Sequence, residues 1–165
     1  MLSRRQIHLP REQVGRVIRF GDGSAARVYR ETRVDGAPET NRCVLVVCFR
    51  LRAVRGRGHK AFEVESLYNT PLFVGFPGFV SKLWLAHDER GVYRGLYEWD
   101  DPVLADRYAR SLWRILALVS VRGSIHFVVL PGIDRGALLA AEPVSGQPGD
   151  HSAWWRVAAV TPAVR

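Results

Sequence analysis

Lys82 and Trp84 stand two residues apart in the stretch GFVSKLWLAH, and Tyr93, Tyr97 and Trp99 follow in VYRGLYEW. If the two segments pair across a turn centred on Glu89 and Arg90, Lys82 faces Tyr97, Trp84 faces Gly95 and Val80 faces Trp99. One face then carries Val80, Lys82, Trp84, Tyr93, Tyr97 and Trp99. The other sets Ser81 opposite Glu98, Leu83 opposite Leu96 and Leu85 opposite Arg94. Gly95 would leave room for the indole of Trp84. An ammonium among rings gains about 0.5–2 kcal/mol of cation–π attraction. Burying it with nothing else to satisfy it costs more. The amine of Lys82 therefore reaches water past its own stem, pairs with an acid, or lines a cavity. In a cavity its chemistry would be that of a cation or hydrogen-bond donor, placed where an oxyanion develops among apolar walls that exclude water.

The elements that must position these residues follow from pattern. RVIRFGDGSAARVYRETRV holds two alternating segments joined by Asp22-Gly23, a hairpin signal with strands expected at 14–20 and 25–34. Such a hairpin is marginal alone and must lean on the main body or on a partner chain. RCVLVVCFRL is a near-continuous apolar run, as in a central strand buried on both faces. HKAFEVESLYNTPLF begins as a helix and is interrupted at Asn69-Thr70-Pro71. Two strands follow, the second ending near Trp99. Asp101-Pro102 then opens a helix, with Asp as cap and Pro at the first turn. Leu104, Tyr108, Leu112 and Leu116 mark its buried side. SIHFVVL is a last strand. The order β-α-β-β-α-β is the ferredoxin-like, split-βαβ arrangement of an α+β fold. Right-handed crossovers put its first and third strands in the centre and leave the Lys82 strand at an edge. Three segments result: an N-terminal extension with a β-hairpin (1–41), the ferredoxin-like domain (42–132) and a C-terminal tail (133–165). The tail holds Trp154-Trp155, which suit a terminal strand, a lid, or an arm on another subunit.

Composition narrows the classes. At 165 residues there is room for one core. The net charge of +8 comes from a set of 24 basic residues in which only Lys60 and Lys82 are lysines. The arginines are scattered, densest at Arg50, Arg52, Arg55 and Arg57, and no nucleic-acid motif frames them. Solvated faces are the plain reading, an anionic ligand or a partner surface the alternative, and no nucleic-acid partner is expected. Apolar runs fall short of a membrane span, and no apolar segment follows the first arginines as in a signal peptide. A cytoplasmic protein without a membrane partner is the expectation. Cys43 and Cys48, five apart in one strand, point to opposite faces and read as buried packing residues. The five histidines have no metal-ligand spacing, and no nucleophile elbow or phosphate-binding glycine loop occurs.

The stretch FPGFVSKLWLAHDERGVYRGLYEWDDPVLADRYARSL resembles the dimeric α/β-barrel superfamily, in its antibiotic-biosynthesis-mono-oxygenase-like branch. The shared features are Pro-Gly-aromatic before the second strand, Lys-x-Trp within it, and an aromatic followed by a polar residue opening the second helix. The resemblance covers about 42–132. It implies a homodimer whose two four-stranded sheets pack face to face as a barrel, with a cavity between each sheet and its own helices. Relatives of this kind include cofactor-independent mono-oxygenases acting on polycyclic aromatics, haem-degrading enzymes, cyclases and isomerases. In the mono-oxygenases an Asn, a Trp and an Arg line the cavity. The resemblance sets Asn69 and Trp99 at corresponding places, with Arg94 a weaker match on the other strand face. His59, the residue a haem-degrading member would use as ligand, falls out of place at a helix start.

Three functions are compatible with these residues. The first is a cofactor-independent mono-oxygenase, or a related rearrangement enzyme, acting on a planar aromatic or polyketide-like molecule. In it Lys82, Asn69 and Trp99 would be catalytic, and Trp84, Tyr97, Tyr68 and Tyr93 would hold the substrate. The second is a protein that binds a hydrophobic metabolite without changing it. The third is a structural dimer whose cavity is filled by side chains. Fold alone does not choose among them.

Overall fold

Alternation governs the first described part of the chain. The computed structural model describes residues 6–37, 40–52, 76–140 and 151–163. A short strand, Ile7–His8 (β1), pairs with the end of a longer one. Val17–Phe20 (β2) and Ala25–Val34 (β3) form the hairpin that their period-two pattern predicts. Gly23 sits at φ +84° in the turn, and the Asp22 carboxylate accepts the Ser24 amide at 3.0 Å.

Cys43–Arg50 (β4) is buried over most of its length, as a strand covered on both faces must be. Phe79–Leu85 (β5) and Val92–Trp99 (β6) form the expected antiparallel pair. Pro102–Val119 (α1) starts on Asp101, whose Oδ1 accepts the amides of Val103 at 2.7 Å and Leu104 at 3.4 Å. Its fully buried residues are Ala105, Tyr108, Ala109 and Leu116, while Leu104 and Leu112 are half-buried. His126–Pro131 (β7), the short helix Arg135–Leu139 (α2) and Val157–Thr161 (β8) complete the described chain.

The strands form one antiparallel sheet in the order β7-β4-β6-β5-β3-β2-β8, with β1 on β3. Within it β7-β4-β6-β5 is the fourth-first-third-second order of a ferredoxin-like core, and α1 links its third strand to its fourth. The helix expected in HKAFEVESLYNTPLF lies outside the described residues.

Two details differ from expectation. β5 is not an edge strand, because β3 pairs along its free side, from Val28↔Leu85 to Arg33↔Ser81. The hairpin that could not stand alone is thus an extension of the core sheet. The β5–β6 register matches the expectation from Ser81↔Glu98 to Leu85↔Arg94, but a bulge at Val80 brings Phe79 opposite Trp99. The tail, for its part, is a terminal strand: β8 pairs with β2 and closes that end of the sheet.

The sheet has two apolar sides. On one, Val34, Cys43, Leu45, Val47, Phe79, Tyr97 and Trp99 pack with the buried stripe of α1. On the other, the sheet curls over. Val44, Val46, Leu83, Leu85 and Leu96 of the core meet Ile18, Phe20, Val28, Leu138 and Val157 of the extensions, with Trp154 and Trp155 packed against them. Buried ion pairs cross the same seam. Arg135 of α2 pairs with Glu31 of β3, and its second nitrogen donates to Ser81 of β5 at 3.1 Å. Arg94 of β6 binds Asp88 at 2.8 Å, Asp22 at 3.1 Å and the Ser24 hydroxyl at 2.9 Å. Cys43 and Cys48 are free and buried, and burial is the main cause that pushes both thiols up to about 11. They are packing residues, as expected.

Candidate functional site

Strand alternation sends Lys82 and Trp84 of β5, Tyr93, Gly95 and Tyr97 of β6, and Val47 and Phe49 of β4 toward the side covered by α1. Together with Tyr108, Leu112, Ile115 and Leu116 of the helix they line a cavity of about 390 Å³. That is within the range of small-molecule sites, about 300–1,000 Å³. Its walls are mainly hydrocarbon and aromatic ring.

The amine of Lys82 does not reach water; the residue is 5% exposed. Its Nζ lies 3.2 Å from the centre of the Trp84 ring and 4.5 Å from that of Tyr97. Burial, and after it the charge of Arg30, lowers its pKa well below the ordinary lysine value. The cavity thus presents an amine that gives up its proton far more readily than a surface lysine does.

The rings around it are held from several sides. Trp84 Nε1 donates to Thr32 Oγ1 of β3 at 3.0 Å, which fixes the indole plane. The guanidinium of Arg30 lies 5.5 Å from the centre of the same ring. Arg30 Nη1 is buried with no hydrogen-bond partner among the described residues, and burial lowers the pKa of this group too. Tyr108 donates its hydroxyl to that of Tyr97 at 3.4 Å. Burial raises the pKa of both phenols, so they stay protonated and can donate. Phe49 stacks on Tyr93 with ring centres 5.6 Å apart, and Phe76 meets Tyr108 edge-on at 5.2 Å.

Gly95 has a different role from the one its cross-strand position suggests. A Cβ there would come within 2.7 Å of Tyr97 Cε2 and 3.3 Å of Lys82 Cε. The missing side chain makes room for the Tyr97 ring and the lysine stem.

The sequence-expected residues divide as follows. Lys82, Trp84, Tyr93 and Tyr97 come together at the cavity. Trp99 shares their strand face but does not line the cavity. It is fully buried behind Tyr108, 5.0 Å between ring centres, and against Phe79. Its Nε1 has no hydrogen-bond partner among the described residues. Asn69 and Tyr68 lie outside the described residues, as does His59. Arg94 has its guanidinium on the far side of the sheet, in the ion-pair network with Asp88 and Asp22. Tyr29, Arg30 and Thr32 contribute to the site although they belong to the N-terminal hairpin; their signal was the need of that hairpin for a supporting surface. No cluster of metal-ligating side chains occurs among the described residues, and no helix among them is long and apolar enough to cross a membrane.

No family model and no curated protein matches the chain. Solved structures do, three of them as follows. An uncharacterised ferredoxin-fold protein from Listeria monocytogenes, described as related to antibiotic biosynthesis mono-oxygenases, is 14% identical with a TM-score of 0.49 and matches 68% of this chain and 66% of its own. A mono-oxygenase-like protein from Listeria innocua is 15% identical with a TM-score of 0.47, over 68% and 67%. A protein described as a major regulator of staphylococcal pathogenesis is 16% identical with a TM-score of 0.47, over 67% and 69%. This chain thus spans about two thirds of each solved chain. The ferredoxin-like core rests on the strand order and connections described above.

Proposed function

We propose that the cavity takes up a planar, weakly acidic aromatic molecule, of phenol or anthrone type, and that the protein is a cofactor-independent mono-oxygenase acting on it. The observation that carries this reading is the amine of Lys82 buried in an aromatic cavity, 3.2 Å from the Trp84 ring centre. Burial that holds an amine below its ordinary pKa raises the share of it free to accept an acidic proton near neutral pH. Once protonated it is the counter-ion of the aromatic anion it has made, and Arg30 adds a second positive charge behind Trp84. The neutral phenols of Tyr97 and Tyr108 supply hydrogen bonds, and the apolar walls keep bulk water away. Such an anion can itself deliver electrons to dioxygen. One oxygen atom ends as a carbonyl of the product and the other leaves as water, which carries away two hydrogens of the substrate; all four electrons that reduce dioxygen come from the substrate.

Oxygen uptake by the purified protein, with an anthrone-type substrate and no added metal or flavin, tests the reading. Uptake with quinone formation is expected, with a loss of about 100-fold or more in Lys82→Met, the scale of a lost general base. Tight binding with the ligand recovered unchanged would make the site a carrier's. Neither binding nor uptake across a broad polyphenol panel would remove both readings.

A further inference from the structure

We propose that Lys82 is also a nucleophile: its amine, set between the rings of Trp84 and Tyr97 at the cavity wall, condenses with an aromatic aldehyde or ketone to form an imine. The proposal rests on the reading of the cavity as a site for planar aromatics, but it assigns that site a second chemical class of ligand, carbonyl compounds.

Imine formation needs an amine with a free lone pair, a carbonyl carbon within reach, and a donor for the carbonyl oxygen. Nζ lies over aromatic faces and lines the cavity, so an aromatic carbonyl stacked on those walls would bring its carbon to the nitrogen. Arg30 stands near the same indole and disfavours a second positive charge on Lys82. The hydroxyl of Tyr97, which accepts from that of Tyr108 at 3.4 Å, keeps its own proton to donate to the carbonyl oxygen. The nitrogen lone pair forms the new C–N bond and the carbonyl π pair moves to oxygen. The nitrogen then gives up both its protons, the oxygen takes them and leaves as water, and a C=N double bond remains. No oxidant or reductant is consumed.

Mapping on the unmodified full chain tests this. The protein is incubated at neutral pH with 2-naphthaldehyde and sodium cyanoborohydride, which reduces an imine to a stable secondary amine, and the adducts are located by peptide mass spectrometry. The only other lysine is Lys60, so assignment is direct. Each unit by which an amine's pKa falls below its ordinary value gives about ten times more free base at neutral pH. Labelling of Lys82 at least about tenfold faster than of Lys60 is therefore expected. It should be suppressed by 2-naphthol, which has the same rings but no carbonyl. In Lys82→Arg, which keeps a cationic stem but forms no imine, the Lys82 label should vanish while Lys60 labels as before. Labelling confined to Lys60 and the terminal amine, with 2-naphthol still bound by fluorescence titration, overturns the imine and leaves the phenol reading standing. If 2-naphthol does not bind either, both fall. The first two arms use wild-type protein, so the result does not depend on a variant that folds.

Discussion

At the scale of the residue, Lys82 links stability to function. In the unfolded chain its amine takes up a proton below the ordinary value of 10.5, and in the folded chain only below a much lower one. Between the two the unfolded state binds more protons, so wild-type stability rises with pH across that window. Lys82→Met keeps the volume and removes the titration. The variant should be more stable than wild type at neutral pH, on the order of 1 kcal/mol or more, and the gain should shrink as pH approaches 10.5. Urea midpoints of both proteins between pH 7 and pH 10 check this; a gap that does not change with pH would mean that the amine is charged in the fold. The lysine and its ring neighbours were legible because a hairpin with a short turn permits few registers. What pattern did not show was the bulge at Val80, which turns on local backbone geometry, and the screening of Trp99 by Tyr108, which turns on where α1 settles along the sheet.

Among elements, the junction between core and extensions is held by charges that few solvent molecules reach. Glu31 is 1% exposed and Arg135 is 5% exposed, and they come from β3 and α2, more than 100 residues apart in the chain. Removing one partner leaves the other charged and buried, at a cost of about 3–5 kcal/mol. Arg135→Met should lower the unfolding free energy by that amount, and adding Glu31→Gln should restore much of it. A double-mutant cycle by urea denaturation measures the coupling; additive effects would show that the pair contributes nothing of its own. This junction was hardly legible. The alternation of β3 and the aromatics of the tail announced strands and buried surface. Which strand β3 would join, and that α2 would bring an arginine to Glu31, depended on contacts far apart in sequence. Tyr29, Arg30 and Thr32 were missed as site residues for the same reason.

For the whole molecule, the decisive feature is the face opposite α1. The resemblance implies a second sheet packed there from another chain. In this structure Leu138, Val157, Trp154 and Trp155 of the same chain occupy it. A partner at that face would have to displace β8 and α2. Light scattering of the purified protein is therefore expected to give the mass of one chain, with the extension standing where a second subunit would otherwise pack. Twice that mass, with β8 still protected from hydrogen exchange, would direct attention to the outer surface of α1, where Leu118 is 78% exposed. The ferredoxin-like order was legible from the succession of apolar runs and caps. The curl of the sheet was not, because it arises only when the last strand reaches the second.

That last pairing also has a consequence in time. Val17 and Thr161, neighbours across β2 and β8, are separated by 144 positions. As the chain is synthesised, the four core strands are complete by Pro131, while the strand that closes the sheet is made about 30 residues later. At roughly 5–20 residues per second that leaves an interval of about one to several seconds. During it Ile18, Phe20 and the inner face of the core lack their final cover. Chaperone capture, proteolysis and mispairing with a second nascent chain all compete within that interval.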